Sequence, residues 1–177
     1  DSNVTSIDLS SLIIGEQAGG VWVRTSGIGG LFNAGAATFT PTVGATSSTF
    51  TYTITALAPC IDDSSEATIT INQQPFAGTD VVLVVCPQTA SAINVGNLLV
   101  DGDSGGTWVQ TSGPIGNFNP MSAIFTPPSG SAASTSVFTY TVPGLAPCVN
   151  DEATVTITVN RQGIAGTDGS ITVCDNS

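Results

Sequence analysis

TFTYTIT, residues 49–55, alternates threonine with Phe50, Tyr52 and Ile54. Successive side chains of an extended chain point to opposite faces, so this stretch sets three large apolar groups on one side and a hydroxyl coat on the other. That is the pattern of an antiparallel strand with one buried face. Residues 68–72 read the same way with Ile69 and Ile71 inward, as do residues 154–160 with Val155, Ile157 and Val159. Branching at Cβ suits Thr, Val and Ile to a pleated surface. No segment sustains a helical period. Strands are predicted near 5–13, 20–26, 31–34, 37–40, 48–55, 66–72 and 81–86, parted by clusters of Gly, Pro, Asn and Ser. Their number and spacing predict an all-β fold, a β-sandwich of immunoglobulin-like type.

The pattern then returns. GGVWVRTSG at 19–27 reappears as GGTWVQTSG at 105–113, a shift of 86, and ALAPC at 56–60 as GLAPC at 144–148, a shift of 88. The difference in length falls where the second copy carries PPSGSAASTSVF, as expected of a loop. AGTD closes each copy at 77–80 and 165–168, and residues 174–177 look like the start of a third. The chain therefore reads as two tandem sandwiches of about 88 residues, 1–88 and 89–177, within a longer array. A boundary near 77–80 is the alternative. Trp22, Phe50 and Tyr52, with Trp108, Phe138 and Tyr140, are the expected core, since a Trp inside an alternating strand of a small sandwich normally fills its centre.

Composition narrows the function. Of 177 residues, 13 are acidic and 2 basic, a net charge of −11, which argues against nucleic acid and anionic lipid as partners because both require clustered cations. No apolar run approaches the length of a membrane span, so this segment is not expected to insert. Export and anchoring signals are expected to lie outside it. With no His and no Lys, the usual general-base, Schiff-base and triad arrangements lack a member, and no enzyme and no cofactor are expected. The acidic residues, among them Asp62, Asp63, Glu66, Asp151 and Glu152, fall mostly in predicted loops and read as solvated charge. Asp101 and Asp103 form a weak calcium candidate, because the turn DGDSG offers closely spaced oxygens but lacks the later bidentate Glu of a calcium hand. No other metal site is expected.

Cys60, Cys86, Cys148 and Cys174 recur in register, which favours disulfides and an oxidising, extracellular setting. If 81–86 folds back on 67–72, the bonds are Cys60–Cys86 and Cys148–Cys174. This is the preferred reading. If 81–86 instead opens the second sandwich, Cys86–Cys148 remains.

Three stretches, GEQAGGVWVRTSGIGG (15–30), TFTYTITALAPCIDDSSEATITIN (49–72) and AGTDGSITVCDNS (165–177), resemble the tandem repeats of large gliding-motility cell-surface adhesins of the SprB-like kind. The resemblance spans essentially the whole chain. It implies export by type IX secretion and an extracellular, cell-surface filament that takes part in surface attachment and gliding. Expected partners are neighbouring repeats of the same chain, other copies in a filament, and a substratum or polysaccharide. A module that binds glycan or protein through its loops is the alternative expectation.

Overall fold

Alternation of the kind seen at 49–55 governs nearly every regular element. In the computed structural model, which describes residues 5–86, 91–114, 118–128, 133–161 and 163–175, these elements are strands apart from two short 3-10 turns, Ser10–Leu12 and Val95–Asn97. The chain divides between Gln73 and Gln74 into two units. That division lies nearer to 77–80 than to 88.

The first unit holds β1 (Ile7–Asp8), β2 (Val21–Ser26), β3 (Leu31–Asn33), β4 (Thr38–Thr40), β5 (Ser48–Ile54) and β6 (Asp63–Ile69). Two antiparallel sheets result, ordered β1-β4-β3 and β2-β5-β6. Along β5 the residues Ser48, Phe50 and Tyr52 are buried and the intervening threonines half-buried. Phe50 reaches across to Phe32 and Phe39 of the other sheet, with ring centroids 5.0 Å away in both cases and the rings tilted. Such offset, tilted geometry is the favourable one for aromatic pairs. Both sheets thus feed one core, an arrangement compatible with a β-sandwich.

The second unit holds β7 (Val81–Val85), β8 (Ile93–Asn94), β9 (Thr107–Ser112), β10 (Phe118–Asn119), β11 (Ile124–Phe125), β12 (Ser134–Val142) and β13 (Asp151–Val159). Its sheets are ordered β10-β11-β8 and β7-β13-β12-β9. Phe138 takes the place of Phe50, 4.6 Å from the Phe118 ring and 4.8 Å from that of Phe125. The turn between the short strands keeps its asparagine and its alanine while the residues between them change. Asn33 Oδ1 accepts from Ala36 N–H and Ala37 adopts φ 52°, while Asn119 Oδ1 accepts from Met121 and Ser122 and Ala123 adopts φ 54°. In each case the alanine carbonyl then accepts a bond of 2.8 Å, from Leu9 N–H in one unit and from Val95 N–H in the other. An asparagine that bonds the backbone ahead of it tolerates many residues in between.

Three elements differ from the sequence reading. The expected strand 5–13 shortens to Ile7–Asp8 before a 3-10 turn, and the strand expected at 66–72 runs from Asp63 to Ile69. More consequentially, 81–85 does not return antiparallel onto 67–72. It runs parallel to β13, Val81 opposite Val155 and Val85 opposite Val159. The cause is the segment before it. Ala77 N–H donates to Asp151 Oδ2 (2.7 Å), Phe76 N–H to Asp103 Oδ2 (2.9 Å), and Thr154 N–H to Asp80 Oδ1 (2.8 Å). Asp103 N–H returns a bond to the Phe76 carbonyl at 2.7 Å. Held this way, residues 76–80 deliver the chain to the outer edge of β13.

Truncating the ring on which both sheets close should be costly. Phe50→Ala or Phe138→Ala is expected to destabilise its own unit by about 3–5 kcal/mol. Urea denaturation followed by tryptophan fluorescence measures this; losses near 1 kcal/mol would contradict a core centred on these rings.

Candidate functional site

The motif GGxWVxTSG builds one local structure twice. Tyr52 and Tyr140 stand opposite Trp22 and Trp108 in the strand registers, and the rings pack at 5.1 Å and 5.0 Å. Tyr52 Oη accepts from Gly20 N–H at 2.8 Å and donates to the Gln17 carbonyl at 2.7 Å. Tyr140 Oη accepts from Gly106 N–H and donates to the Asp103 carbonyl, both at 2.9 Å. A Cβ on Gly20 would run into the Tyr52 ring, and one on Gly106 would lie 2.6 Å from Tyr140 Cζ. The second glycine of each pair is thus the floor on which the tyrosine lies. Gly27 and Gly113, at φ +87° and +101°, close the same motif where a Cβ would strike Ser48 and Ser136.

Between these glycines sits Arg24, one of the chain's two basic residues. Arg24 Nη1 donates to the Gly29 carbonyl (2.6 Å), Nε to the Ser26 carbonyl (3.2 Å) and Nη2 to Ser48 Oγ (2.6 Å). Its guanidinium lies over the Phe39 ring, 5.2 Å from the centroid, a cation–π contact. Gln110 stands at the same place in the second unit and donates to the Ser112 and Pro114 carbonyls. A long side chain with several N–H donors is the shared requirement.

The expected core residues lie inside or against the two cores. Trp22, Phe50, Tyr52 and Phe138 are buried, and Trp108 and Tyr140 are half-buried. No disulfide joins the four cysteines, of which Cys60, Cys86 and Cys174 are exposed and Cys148 half-buried. The strand registers give the reason for two of the anticipated bonds. The fold-back that would return Cys86 to Cys60 is not formed, because β7 lies on β13. The parallel register sets Cys86 beside Asn160, whereas Cys148 precedes Asp151 at the other end of β13, so roughly 30 Å of extended strand parts them. A disulfide spans about 7 Å between Cα atoms at most. The preferred Cys148–Cys174 bond is likewise not formed.

Asp101 and Asp103 are exposed, and one Asp103 oxygen is engaged by Phe76 N–H. Among the described residues, no group of three or more His, Cys, Asp or Glu is placed to hold a metal ion. Nor is any helix among them long and apolar enough to cross a membrane.

The first unit also carries a groove of about 490 Å³, lined by Gln17, Tyr52, Ile54, Asp63 and Ser65. The equivalent place in the second unit is covered by the chain itself. There Ala77 is wholly buried against Val142, Ala153, Leu99 and Tyr140. No family model matches the chain, and no curated protein or solved structure does so either.

Removing one tyrosine hydroxyl deprives a glycine N–H and a main-chain carbonyl of their partner. Tyr52→Phe and Tyr140→Phe are each expected to cost about 1–2 kcal/mol. Gly20→Ala should cost at least as much, because the ring has to move. Chemical denaturation ranks the three, and an unaltered midpoint for Gly20→Ala would remove the proposed floor.

Proposed function

We propose that the chain is a pair of tandem immunoglobulin-like sandwich repeats that serves as a structural module in an extracellular, cell-surface adhesin or filament of the gliding-motility kind. The observation that carries this reading is the duplication of one set of jobs. Tyr–Gly clamp, Trp–Tyr pair, central Phe, Asn turn and multi-donor side chain each occur twice, in the same relative register. Nothing in that duplicated set is reactive. What it supplies is a unit that tolerates repetition, and in repeat proteins stability is built from units and their neighbour contacts while copy number sets length. Strands faced with threonine and loops rich in carboxylate keep such units soluble without lysine. Export by type IX secretion and contact with a substratum or polysaccharide come with the resemblance to gliding adhesins.

A second reading, recognition through the loops, draws on the tip at the APC motif. Leu57 and Ile61 are exposed there in the first unit, and Leu145 and Val149 in the second. Two apolar side chains offered at the same tip in both units are suited to an apolar patch on a partner.

Antibody raised against the 177-residue chain is expected to label intact, unpermeabilised cells, and its Fab fragments to reduce their attachment to glass. Labelling only after permeabilisation would defeat the proposal. Attachment that survives Fab binding but falls on Leu57→Ser with Leu145→Ser would transfer the role to the loops. Stretched from its ends, the module should unfold in two steps that do not change on adding reductant.

A further inference from the structure

The second unit joins its first strand to its last. β7 is the strand by which the chain enters this unit and β13 the strand by which it leaves, and the two lie side by side and parallel. Val81 stands opposite Val155 and Val85 opposite Val159. Val81, Leu83 and Val85 pack against the core that contains Val155 and Ile157. Asn160 N–H donates to the Val85 carbonyl at 2.9 Å, so main-chain bonding continues to the far end of the ladder. Parallel pairing puts the two chain connections at opposite ends. Residues 74–80 lead away from the Val155 end, and residues 160–161 from the Val159 end.

The entry is seated as firmly as the ladder. A Cβ on Gly102 would lie 2.6 Å from the Ala77 carbonyl oxygen, so only bare backbone at 102 lets the segment settle there. Ala77 is wholly buried in consequence. Asp103 holds Phe76 by two bonds, one through its carboxylate and one through its N–H, and Asp151 holds the Ala77 N–H. Asp80 then takes the Thr154 N–H, next to the residue that faces Val81. The chain is thus tied to β13 before the first rung of the ladder.

We infer that β7 and β13 form a mechanical clamp: tension that enters at Gln74 and leaves at Arg161 shears the whole ladder at once, and the second unit yields in a single event. Direction of pull decides this. Drawn from opposite ends, parallel strands must slide past one another, and a slide of about 3.3 Å, one residue, unseats every main-chain bond and apolar contact together. Drawn from the same end, they part pair by pair, and the chain lengthens by about 6.6 Å for each pair freed. Over the five register pairs the same contacts are then lost along about 33 Å, ten times further, so each step needs less force. Forced unfolding is governed by the unfolding rate, so such a clamp gives endurance under load without demanding high equilibrium stability. The inference deepens the proposed filament role, which supplies the tension, while the clamp itself follows from the strand register.

Single-molecule stretching of the full chain through cysteine handles separates the two directions. In both variants Cys60, Cys148 and Cys174 are replaced by serine. Handles at Gln74→Cys and Arg161→Cys, with Cys86→Ser, load the ladder in shear. Handles at the native Cys86, which is exposed, and at Arg161→Cys lie at one end of the ladder and peel it. The shear arrangement is expected to give one step that frees nearly all of the chain between the handles. At equal loading rate its force should exceed that of peeling about threefold or more, given the difference in path length. Equal forces in the two arrangements, or release of residues 74–85 as a separate low-force step ahead of the rest, overturns the inference. Antibody labelling of cells can fail while the force contrast stands, and the reverse holds equally.

Discussion

A tyrosine ring lying on a bare glycine backbone fixes the rest of each unit. With Gly20 under Tyr52, the hydroxyl gains both a donor and an acceptor from the turn that leads into β2, and β2 is locked in register on β5. Once that register is set, Phe50 falls two residues away on the same face, directed at Phe32 and Phe39 of the opposite sheet. A slip of one residue would turn every one of these rings to solvent. The clamp therefore specifies the fold as much as it stabilises it. The same dependence explains why Gly20 and Gly106, which have no side chain to contribute, recur beside the tryptophans.

Strands with one buried and one exposed face were legible from alternation alone. Residues 21–26 and 48–54 lie close to where the pattern put them, because burial of one face and exposure of the other is written into the order of residues. The place of 81–85 was not legible. VVLVV is apolar at every position, so it carries no face and suits any edge; its partner was chosen by Asp80, Asp103 and Asp151 capturing main-chain amides of distant or preceding residues. Cysteine recurrence was misleading for a related reason. Recurrence reports position in the repeat, whereas a bond requires proximity, and the parallel course of β7 carries Cys86 away from Cys148 along the full length of β13. Arg24 had a signal that comparison of the copies could have yielded. Arginine in one and glutamine in the other share N–H donors on a long stem and little else.

The carboxylates also have a role that net charge conceals. With 2 basic residues against 13 acidic, ion pairs are not available as a general means of satisfying them. Many are used instead as acceptors for backbone N–H groups. Asp8 takes Ser10 N–H, Asp62 takes Ala56 N–H, and the three aspartates beside residues 76–80 do likewise. Such bonds to a charged acceptor are stronger than neutral ones and depend less on salt than an exposed ion pair does.

Where the two units differ, the acceptor survives and the charge does not. Asn150 accepts from Gly144 N–H at 3.0 Å in the place where Asp62 accepts from Ala56 N–H at 2.9 Å. An amide oxygen and a carboxylate oxygen meet the same geometric demand, so the loop after each APC motif is held by position and not by charge. Acidity is then left over at the surface, where it opposes lateral pairing of exposed edges. A chain of this composition is discouraged from clumping side by side.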